Sequence, residues 1–223
     1  MNPSPSPSTI KAIIFDMDGV LIDAKEWHYE ALNQALALFG YTITRYDHLV
    51  TYDGLPTRQK LEMLSMERGL PKGLHGFINH MKQHYTMGYI FQRCKPVFYH
   101  EYALSKLKQA GYRLAVASNS VRQTVDMMME KSHLQPYLEF TLSNQDVTKG
   151  KPDPEIYHTA IRRLGLEPHE CLIVEDNDHG IRAARAAGGH LLTVKNVEDV
   201  TFQAITQRIA ELEAEGSAPK SQC

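Results

Sequence analysis

The chain has 223 residues, of which 43% are hydrophobic and 22% charged, a composition typical of a globular protein with room for one large domain or a domain plus a smaller one. The formal net charge is -2 and there is no strongly basic block, which argues against nucleic acid as a main partner. No apolar run approaches the roughly 18 residues that a membrane-spanning helix needs, so we expect no membrane partner.

The cysteines argue against a disulfide framework or a zinc site. Cys94, Cys171 and Cys223 lie far apart and form no CxxC pattern. Few and scattered cysteines are typical of proteins in a reducing compartment, so we predict a cytoplasmic protein. Residues 1–9 are rich in alternating Pro and Ser and lack the apolar segment of a signal peptide, so we expect a disordered lead-in. We expect residues 216–223 to form a frayed tail.

The first predicted strand ends at two carboxylates. Residues Ala12 to Phe15 form a continuous apolar run, as in a strand that is covered on both faces. Asp16 and Asp18 follow, with Gly19 directly after them. Neighbouring carboxylates repel each other unless they share a cation or a proton. The stretch therefore indicates a magnesium and phosphate site, with an ordinary acidic turn as the alternative.

The segment after this strand has the apolar spacing of helices. One helix is predicted from about Trp27 to Gly40, a second from Pro56 to Gly69, and a third from about Pro71 to Cys94. We find no convincing strand between residues 24 and 94. This range is therefore predicted to be a helical cap domain inserted after the first strand.

From Lys95 onward, predicted strands and helices alternate. The strand candidates are Tyr112 to Ala117, Phe140 to Leu142, Cys171 to Val174 and His190 to Val194. This alternation predicts an α/β fold with a doubly wound (Rossmann-like), mostly parallel sheet. We assign residues 10–23 and 95–215 to this core.

Polar residues follow most of the predicted strands, at the point where each strand ends. In a parallel, doubly wound sheet these ends share one edge, where such folds bind ligands. Magnesium takes oxygen ligands from carboxylates and a substrate phosphate, while hydroxyl and ammonium groups can hold phosphoryl oxygens. An aspartate can accept a phosphoryl group covalently, and a second carboxyl can move the proton. The candidate residues at this edge are Asp16, Asp18, Ser118, Asn119, Lys151, Glu175 and Asp176.

Four motifs in this order resemble those of the haloacid dehalogenase superfamily. They are Asp16-Met-Asp18-Gly-Val-Leu-Ile-Asp23, Ala117-Ser118-Asn119-Ser120, Gly150-Lys151-Pro152-Asp153-Pro154 and Val174-Glu175-Asp176-Asn177-Asp178-His179-Gly180-Ile181. The helical insert after the first motif resembles the subclass with an α-helical cap, which includes β-phosphoglucomutase and many sugar-phosphate phosphatases. The resemblance covers most of the chain.

The resemblance implies a role for each motif residue. Asp16 would be the nucleophile that forms an aspartyl phosphate, and Asp18 would be the general acid and base, with its backbone carbonyl on magnesium. Asp176 would ligate magnesium, with Glu175 at or near the same shell. Phosphate or substrate binding falls to Gly19, Ser118, Asn119, Lys151, His28 and Arg58. Asp18 also separates this chain from the dehalogenases, which do not use an acid/base aspartate at that position.

Several of these residues have a simpler interpretation. Ser118 is also a candidate helix N-cap, and Glu175 a residue that only orients its neighbours. His28 could equally be a packed or surface histidine and Arg58 a solvated helix residue. We interpret Asp178 as the cap of the helix that follows it.

The leading hypothesis is a magnesium-dependent phosphatase that acts on a small phosphorylated metabolite such as a sugar phosphate. The alternative is a phosphosugar mutase, since Glu26-Trp27-His28 and Gly54-Leu-Pro-Thr-Arg58 resemble stretches of β-phosphoglucomutase. We place no counterpart of the mutase's cap lysine in the region of Tyr85 to Gly88. A catalytically silent binding or regulatory member is the third possibility. The oligomeric state stays open.

Overall fold

The computed structural model describes residues 10–52 and 55–217, with the side chains of 216 and 217 left out. The lead-in expected at residues 1–9 lies outside this part of the chain, as does most of the tail expected at 216–223. Within the described ranges, no helix has both the length and the hydrophobicity needed to cross a membrane.

The described strands form one parallel sheet, which confirms the predicted α/β class. The strands are β1 (Ala12–Phe15), β2 (Arg113–Ala117), β3 (Phe140–Leu142), β4 (Cys171–Glu175) and β5 (His190–Thr193). Their order in the sheet is β3-β2-β1-β4-β5, so that β1 lies at the centre and pairs with β2 on one side and β4 on the other. The chain therefore adds strands to one side of β1 first and to the other side afterwards.

Both faces of the sheet are covered by helices, as the continuous apolar strands predict. Ile13 and Phe15 point into one hydrophobic cluster, and Ala12 and Ile14 point into a second on the opposite face; all are fully buried. Helices α5 (Phe98–Gln109), α6 (Arg122–Lys131) and α9 (Phe202–Ser217) build the first cluster, and α7 (Glu155–Leu164) and α8 (Asp178–Ala186) build the second.

The described residues between β1 and α5 contain several helices and no strand. We call these helices the cap: α1 (Lys25–Ala37), α2 (Arg45–Asp47), a π-helical turn (His48–Tyr52), α3 (Thr57–Arg68) and α4 (His75–Arg93). They share a hydrophobic cluster of their own, which includes Leu36, Leu61 and Ile78. Ile90 of α4 and Trp27 of α1 pack instead against the core cluster, and so connect the cap to the sheet.

Two local predictions are wrong. Asp178 is the first residue of helix α8 and not its cap; the cap is Asn177, whose Oδ1 accepts a hydrogen bond from Gly180 N at 3.1 Å. The short helical stretch from residue 45 to residue 52 was missing from the prediction. Leu49 and Val50 are exposed while Tyr52 is buried, so the stretch has no repeated buried position by which sequence spacing could reveal it.

Candidate active site

A buried ammonium group lies between two buried carboxylates at the carboxyl edge of the sheet. Lys151 Nζ is 2.6 Å from Asp16 Oδ1, directly after β1, and 2.6 Å from Glu175 Oε1, the last residue of β4. The three residues are at most 5% exposed. Tyr157 of α7 donates a hydrogen bond to the same Glu175 oxygen. Glu175 is therefore fixed by two donors and oriented towards the lysine.

Burial sets the electrostatics of this group. It raises the pKa of Asp16 well above its usual range, against the opposing effect of Lys151, and Glu175 adds to the rise. Burial alone would lower the pKa of Lys151, but the two carboxylates outweigh it and the pKa is raised. Lys151 therefore remains a cation at neutral pH, and Asp16 gains from any further positive charge placed beside it.

Asp18 has different neighbours from Asp16. Its Oδ1 lies 3.1 Å from His28 Nε2, and its Oδ2 accepts a hydrogen bond from Ser120 Oγ at 2.7 Å. Burial would raise the pKa of Asp18, but His28, Ser120 and Lys82 together lower it. Two carboxyls two positions apart thus have pKa values displaced in opposite directions, which is the arrangement expected when one fold assigns them different chemical tasks.

A lysine of the cap continues the contacts of Asp18. Lys82 Nζ lies 3.2 Å from His28 Nδ1, on the far side of the imidazole from Asp18. An ammonium group can only donate, so Nδ1 accepts and Nε2–H donates to the carboxylate. Burial and Lys82 lower the pKa of His28, and burial lowers the pKa of Lys82 to about 8. The imidazole is therefore neutral and held by partners on both sides.

A third carboxylate completes a group of oxygen donors. One oxygen each from Asp16, Glu175 and Asp176 can be chosen so that all lie within 4.8 Å of one another. The Asp176 side chain is buried, and its Oδ1 accepts a hydrogen bond from Asn177 Nδ2 at 3.0 Å. Its Oδ2 accepts no hydrogen bond of acceptable geometry, although Lys25 Nζ lies 2.7 Å away. Magnesium prefers oxygen ligands, so three clustered carboxylates, one of them with an oxygen that accepts no hydrogen bond, fit a magnesium ion.

Two glycines make room for these carboxylates. A Cβ on Gly19 would lie 2.2 Å from Asp176 Oδ2, and Gly19 also has a φ of +90°, which disfavours other residues. A Cβ on Gly180, in the first turn of α8, would lie 1.9 Å from Glu175 Oε1. The glycines of the first and fourth motifs therefore have steric roles. Gly19 N–H donates to Ile22 O at 2.7 Å, and Gly19 does not line the cavity described below.

The residues after β2 hold the loop that carries Lys151. Asn119 Oδ1 accepts from Lys151 N at 2.9 Å, and Asn119 Nδ2 donates to Lys151 O at 3.2 Å. Ser118 Oγ accepts from Ser120 N at 3.0 Å. The alternative of Ser118 as a helix cap is wrong, because Val121 is the N-cap residue of α6.

A cavity of about 280 Å³ separates the sheet edge from the cap. Of the candidates, Asp16, Asp18, Ser118, Asn119, Lys151, His28 and Arg58 line it. Glu175 and Asp176 lie beneath and do not reach its lining. Sequence reasoning missed further lining residues, which include Lys25, His48, Lys60, Asn79, Lys82, Gln83 and Ser120. The cap lysines among them occur on helices with no motif to distinguish them from surface lysines.

One hydrogen bond joins the cap to the core across the rim of this cavity. Gln83 Nε2 of α4 donates to Thr124 Oγ1 of α6 at 2.5 Å. Thr124 is buried, and both residues line the cavity. The bond holds the cap in the position in which its polar side chains face the strand ends.

The chain is similar to known proteins over most of its length. A family model described as haloacid dehalogenase-like hydrolase matches residues 13–194. A phosphorylated carbohydrates phosphatase from Thermotoga maritima is 28% identical over 181 residues, covering 80% of this chain and 82% of that protein. Pyrophosphatase PpaX from Bacillus pumilus is 30% identical over 190 residues, covering 81% of each. The structure of a β-phosphoglucomutase from Clostridium difficile matches with a TM-score of 0.77 at 21% identity, covering 91% of this chain and 98% of that one.

Proposed function

Because the chain belongs to the haloacid dehalogenase-like hydrolase family, we propose that it is a magnesium-dependent phosphatase that hydrolyses a small phosphorylated metabolite through an aspartyl-phosphate intermediate. The observation that carries this proposal is the contrast between two carboxyls at one sheet edge. Asp16 contacts the ammonium group of Lys151, whereas Asp18 contacts an imidazole and a hydroxyl. This contrast supports a nucleophile and an acid/base partner side by side.

The proposed reaction has two displacements at phosphorus. In the first, an oxygen of Asp16 forms a bond to phosphorus while the bond to the ester oxygen breaks, and Asp18 gives that oxygen a proton. In the second, water attacks phosphorus, the bond to Asp16 breaks, and Asp18 takes the water's proton. The lowered pKa of Asp18 keeps this carboxyl ionised in the free protein, so it must take up a proton when the substrate enters before it can act as the acid of the first step. Its contacts with His28 and Ser120 keep it pointed at the cavity.

The remaining charged residues would bind and stabilise the phosphoryl group. Lys151 and Ser118 line the cavity beside Asp16 and offer an ammonium and a hydroxyl group. Asp16 and Asp176 would hold the magnesium ion, with Glu175 beside them and fixed by Lys151. When bound, the ion supplies positive charge that offsets the phosphoryl oxygens and favours the ionised form of Asp16.

The cap supports a small, polar and anionic substrate. Among the residues that the structure describes, its part of the cavity lining includes Arg58, Lys60 and Lys82 but no carboxylate, whereas the lining carboxylates Asp16 and Asp18 both belong to the sheet edge. A volume of about 280 Å³ suits a metabolite and not a macromolecule. The phosphatase from Thermotoga maritima described above acts, by its name, on phosphorylated carbohydrates. We therefore place sugar phosphates first among the substrates to test.

A phosphorylated-metabolite screen tests the proposal. Purified protein is assayed for phosphate release in the presence of MgCl₂ and again in EDTA, with Asp16→Asn as the blank. We expect release from one or a few compounds, only with magnesium and only from the wild type. Release by Asp16→Asn at the wild-type rate, or no release from any compound, would contradict the proposal.

A phosphosugar mutase is the second candidate. The observation that favours it is the Asp18–His28–Lys82 chain, since His28 stands in the stretch that resembles β-phosphoglucomutase. A mutase would need a bisphosphate to prime it and would then isomerise a sugar phosphate faster than it hydrolyses it. Product analysis by ³¹P nuclear magnetic resonance separates the two, because only the mutase gives a new phosphate ester.

A further inference from the structure

Lys25 is not part of any motif, yet its ammonium group reaches the buried carboxylate group. It is the first residue of α1, directly after the segment that follows β1. Lys25 Nζ lies 2.7 Å from Asp176 Oδ2; the lysine side chain is 36% exposed and the aspartate side chain is fully buried. The lysine therefore reaches a buried oxygen from the solvent side of the site.

Gly19 opens the path that the lysine follows. A Cβ at position 19 would lie 2.7 Å from Lys25 Cε and 2.2 Å from Asp176 Oδ2. Any side chain at this position would thus displace both members of the pair. The absence of a side chain at Gly19 therefore leaves the space in which the lysine and the aspartate side chains meet.

Lysines balance the charges of the three carboxylates unequally. Lys151 contacts Asp16 and Glu175 at 2.6 Å each, with good hydrogen-bond geometry and almost no exposure. Lys25 lies beside Asp176 outside hydrogen-bond geometry, with a partly exposed side chain that lines the cavity. The first lysine is locked in place, whereas the second makes a contact that a competing cation can replace.

We propose that Lys25 is a tethered counter-ion that competes with the divalent metal for Asp176 Oδ2. Two cations at one carboxylate oxygen repel each other, so metal binding requires the ammonium group to move away from Asp176. The Lys25 side chain is partly exposed and lines the cavity, so its ammonium group can move into the cavity when the metal binds. Lys25 thereby keeps the carboxylates compensated in the metal-free protein and weakens metal binding. The inference rests on the proposed function for the identity of the metal.

Calorimetric titration of MgCl₂ into metal-stripped full-length protein tests this role without an activity assay. We expect Lys25→Met, which keeps the length of the side chain and removes its charge, to bind Mg²⁺ about threefold to tenfold more tightly than the wild type. Lys25→Arg keeps the charge and is expected to bind with nearly wild-type affinity. Lys72→Met is the matched control, because Lys72 pairs with Glu62 at the cap surface, 3.3 Å away.

Thermal melting provides the second measurement. In EDTA, Lys25→Met should melt below the wild type because Asp176 loses its counter-ion, and MgCl₂ should raise its melting temperature by more than that of the wild type. If Lys25→Met does not fold in EDTA, Lys25→Gln replaces it in the titration.

Different outcomes separate this inference from the proposed function. If the neutral variants bind Mg²⁺ with unchanged or lower affinity while the wild type binds it, the role of Lys25 is overturned and the phosphatase proposal stands. If the wild type takes up no Mg²⁺, the magnesium-dependent chemistry fails together with this inference.

Discussion

The two walls of the cavity differ in how their charges are balanced. On the sheet side, Lys151 touches Asp16 and Glu175 at 2.6 Å, and all three residues are buried. On the cap side, burial lowers the pKa of Lys82, burial and Lys82 lower the pKa of His28, and Arg58 is exposed. The sheet side is a compensated, rigid unit, whereas the cap side gathers positive charge from separate helices.

This difference suggests a division of labour. Groups fixed at strand ends keep their geometry while a bond is made or broken, as the proposed chemistry requires. Groups on the cap face the rest of the substrate and gain a further partner of opposite charge when an anionic ligand enters. Substitutions on the two sides should therefore fail in different ways.

The largest expected effect is that of Asp16→Asn on the sheet side. We expect kcat to fall by about 10⁴-fold or more, because an amide cannot form the proposed acyl phosphate. Stability should not fall, because the change removes a buried carboxyl whose neighbours Glu175, Asp176 and Asp18 disfavour its charge. Phosphate-release kinetics and urea unfolding measure the two quantities. Asp126→Asn, a carboxylate on the surface of α6, is the control and should change neither.

Lys151→Met tests whether the sheet side is a compensated unit. Removing one partner of a buried ion pair leaves uncompensated charge, so we expect the free energy of unfolding to fall by about 3–5 kcal/mol. Urea denaturation in EDTA measures it without help from a metal. Lys149→Met, two positions away and with its side chain 75% exposed, should lose less than about 0.5 kcal/mol. Equal losses in the two variants would refute the comparison.

Lys82 should give the cap side a pH dependence. Burial lowers the pKa of Lys82 to about 8, so its side chain becomes an uncharged amine above that pH. We therefore expect kcat/KM for an anionic substrate to fall as the pH rises through about 8. The unfolded chain binds more protons between about pH 8 and the ordinary value of 10.5, so stability should rise with pH across this window. Lys82→Arg, which stays charged, should remove the alkaline fall in kcat/KM. A fall that persists in this variant would assign the effect to another group.

The smallest expected effect is at the hydrogen bond between cap and core. Gln83→Ala removes the donor to Thr124 Oγ1, so we expect KM to rise about threefold to tenfold with little change in kcat. Steady-state kinetics on the best substrate of the screen measure it. Gln92→Ala, an exposed position on the same helix, should behave like the wild type. A loss confined to kcat would mean that Gln83 acts on the chemistry instead.

The sheet side was largely predictable from the sequence, and the cap side was not. Apolar runs such as Ala12–Phe15 are typical of buried parallel strands. The polar residues that follow such strands lie together at the carboxyl edge of the sheet. Lys60 and Lys82, by contrast, occupy helix positions that read as solvent-exposed. They face inward only because of how α3 and α4 are oriented, which no local pattern encodes. Tyr157 was missed for the same reason, since its partner Glu175 belongs to another element.

The central position of β1 also has a consequence for how the chain acquires its fold. Ala12 pairs with Arg113 on one side and with Cys171 on the other, so β1 has no neighbouring strand until about half of the chain is available, and its second neighbour follows later still. The cap helices, contiguous in sequence and with a cluster of their own, can pack earlier from local contacts. During synthesis on the ribosome, β1 would wait as an unpaired apolar segment while the cap forms behind it. Its short length of four residues limits the surface exposed to aggregation during that interval.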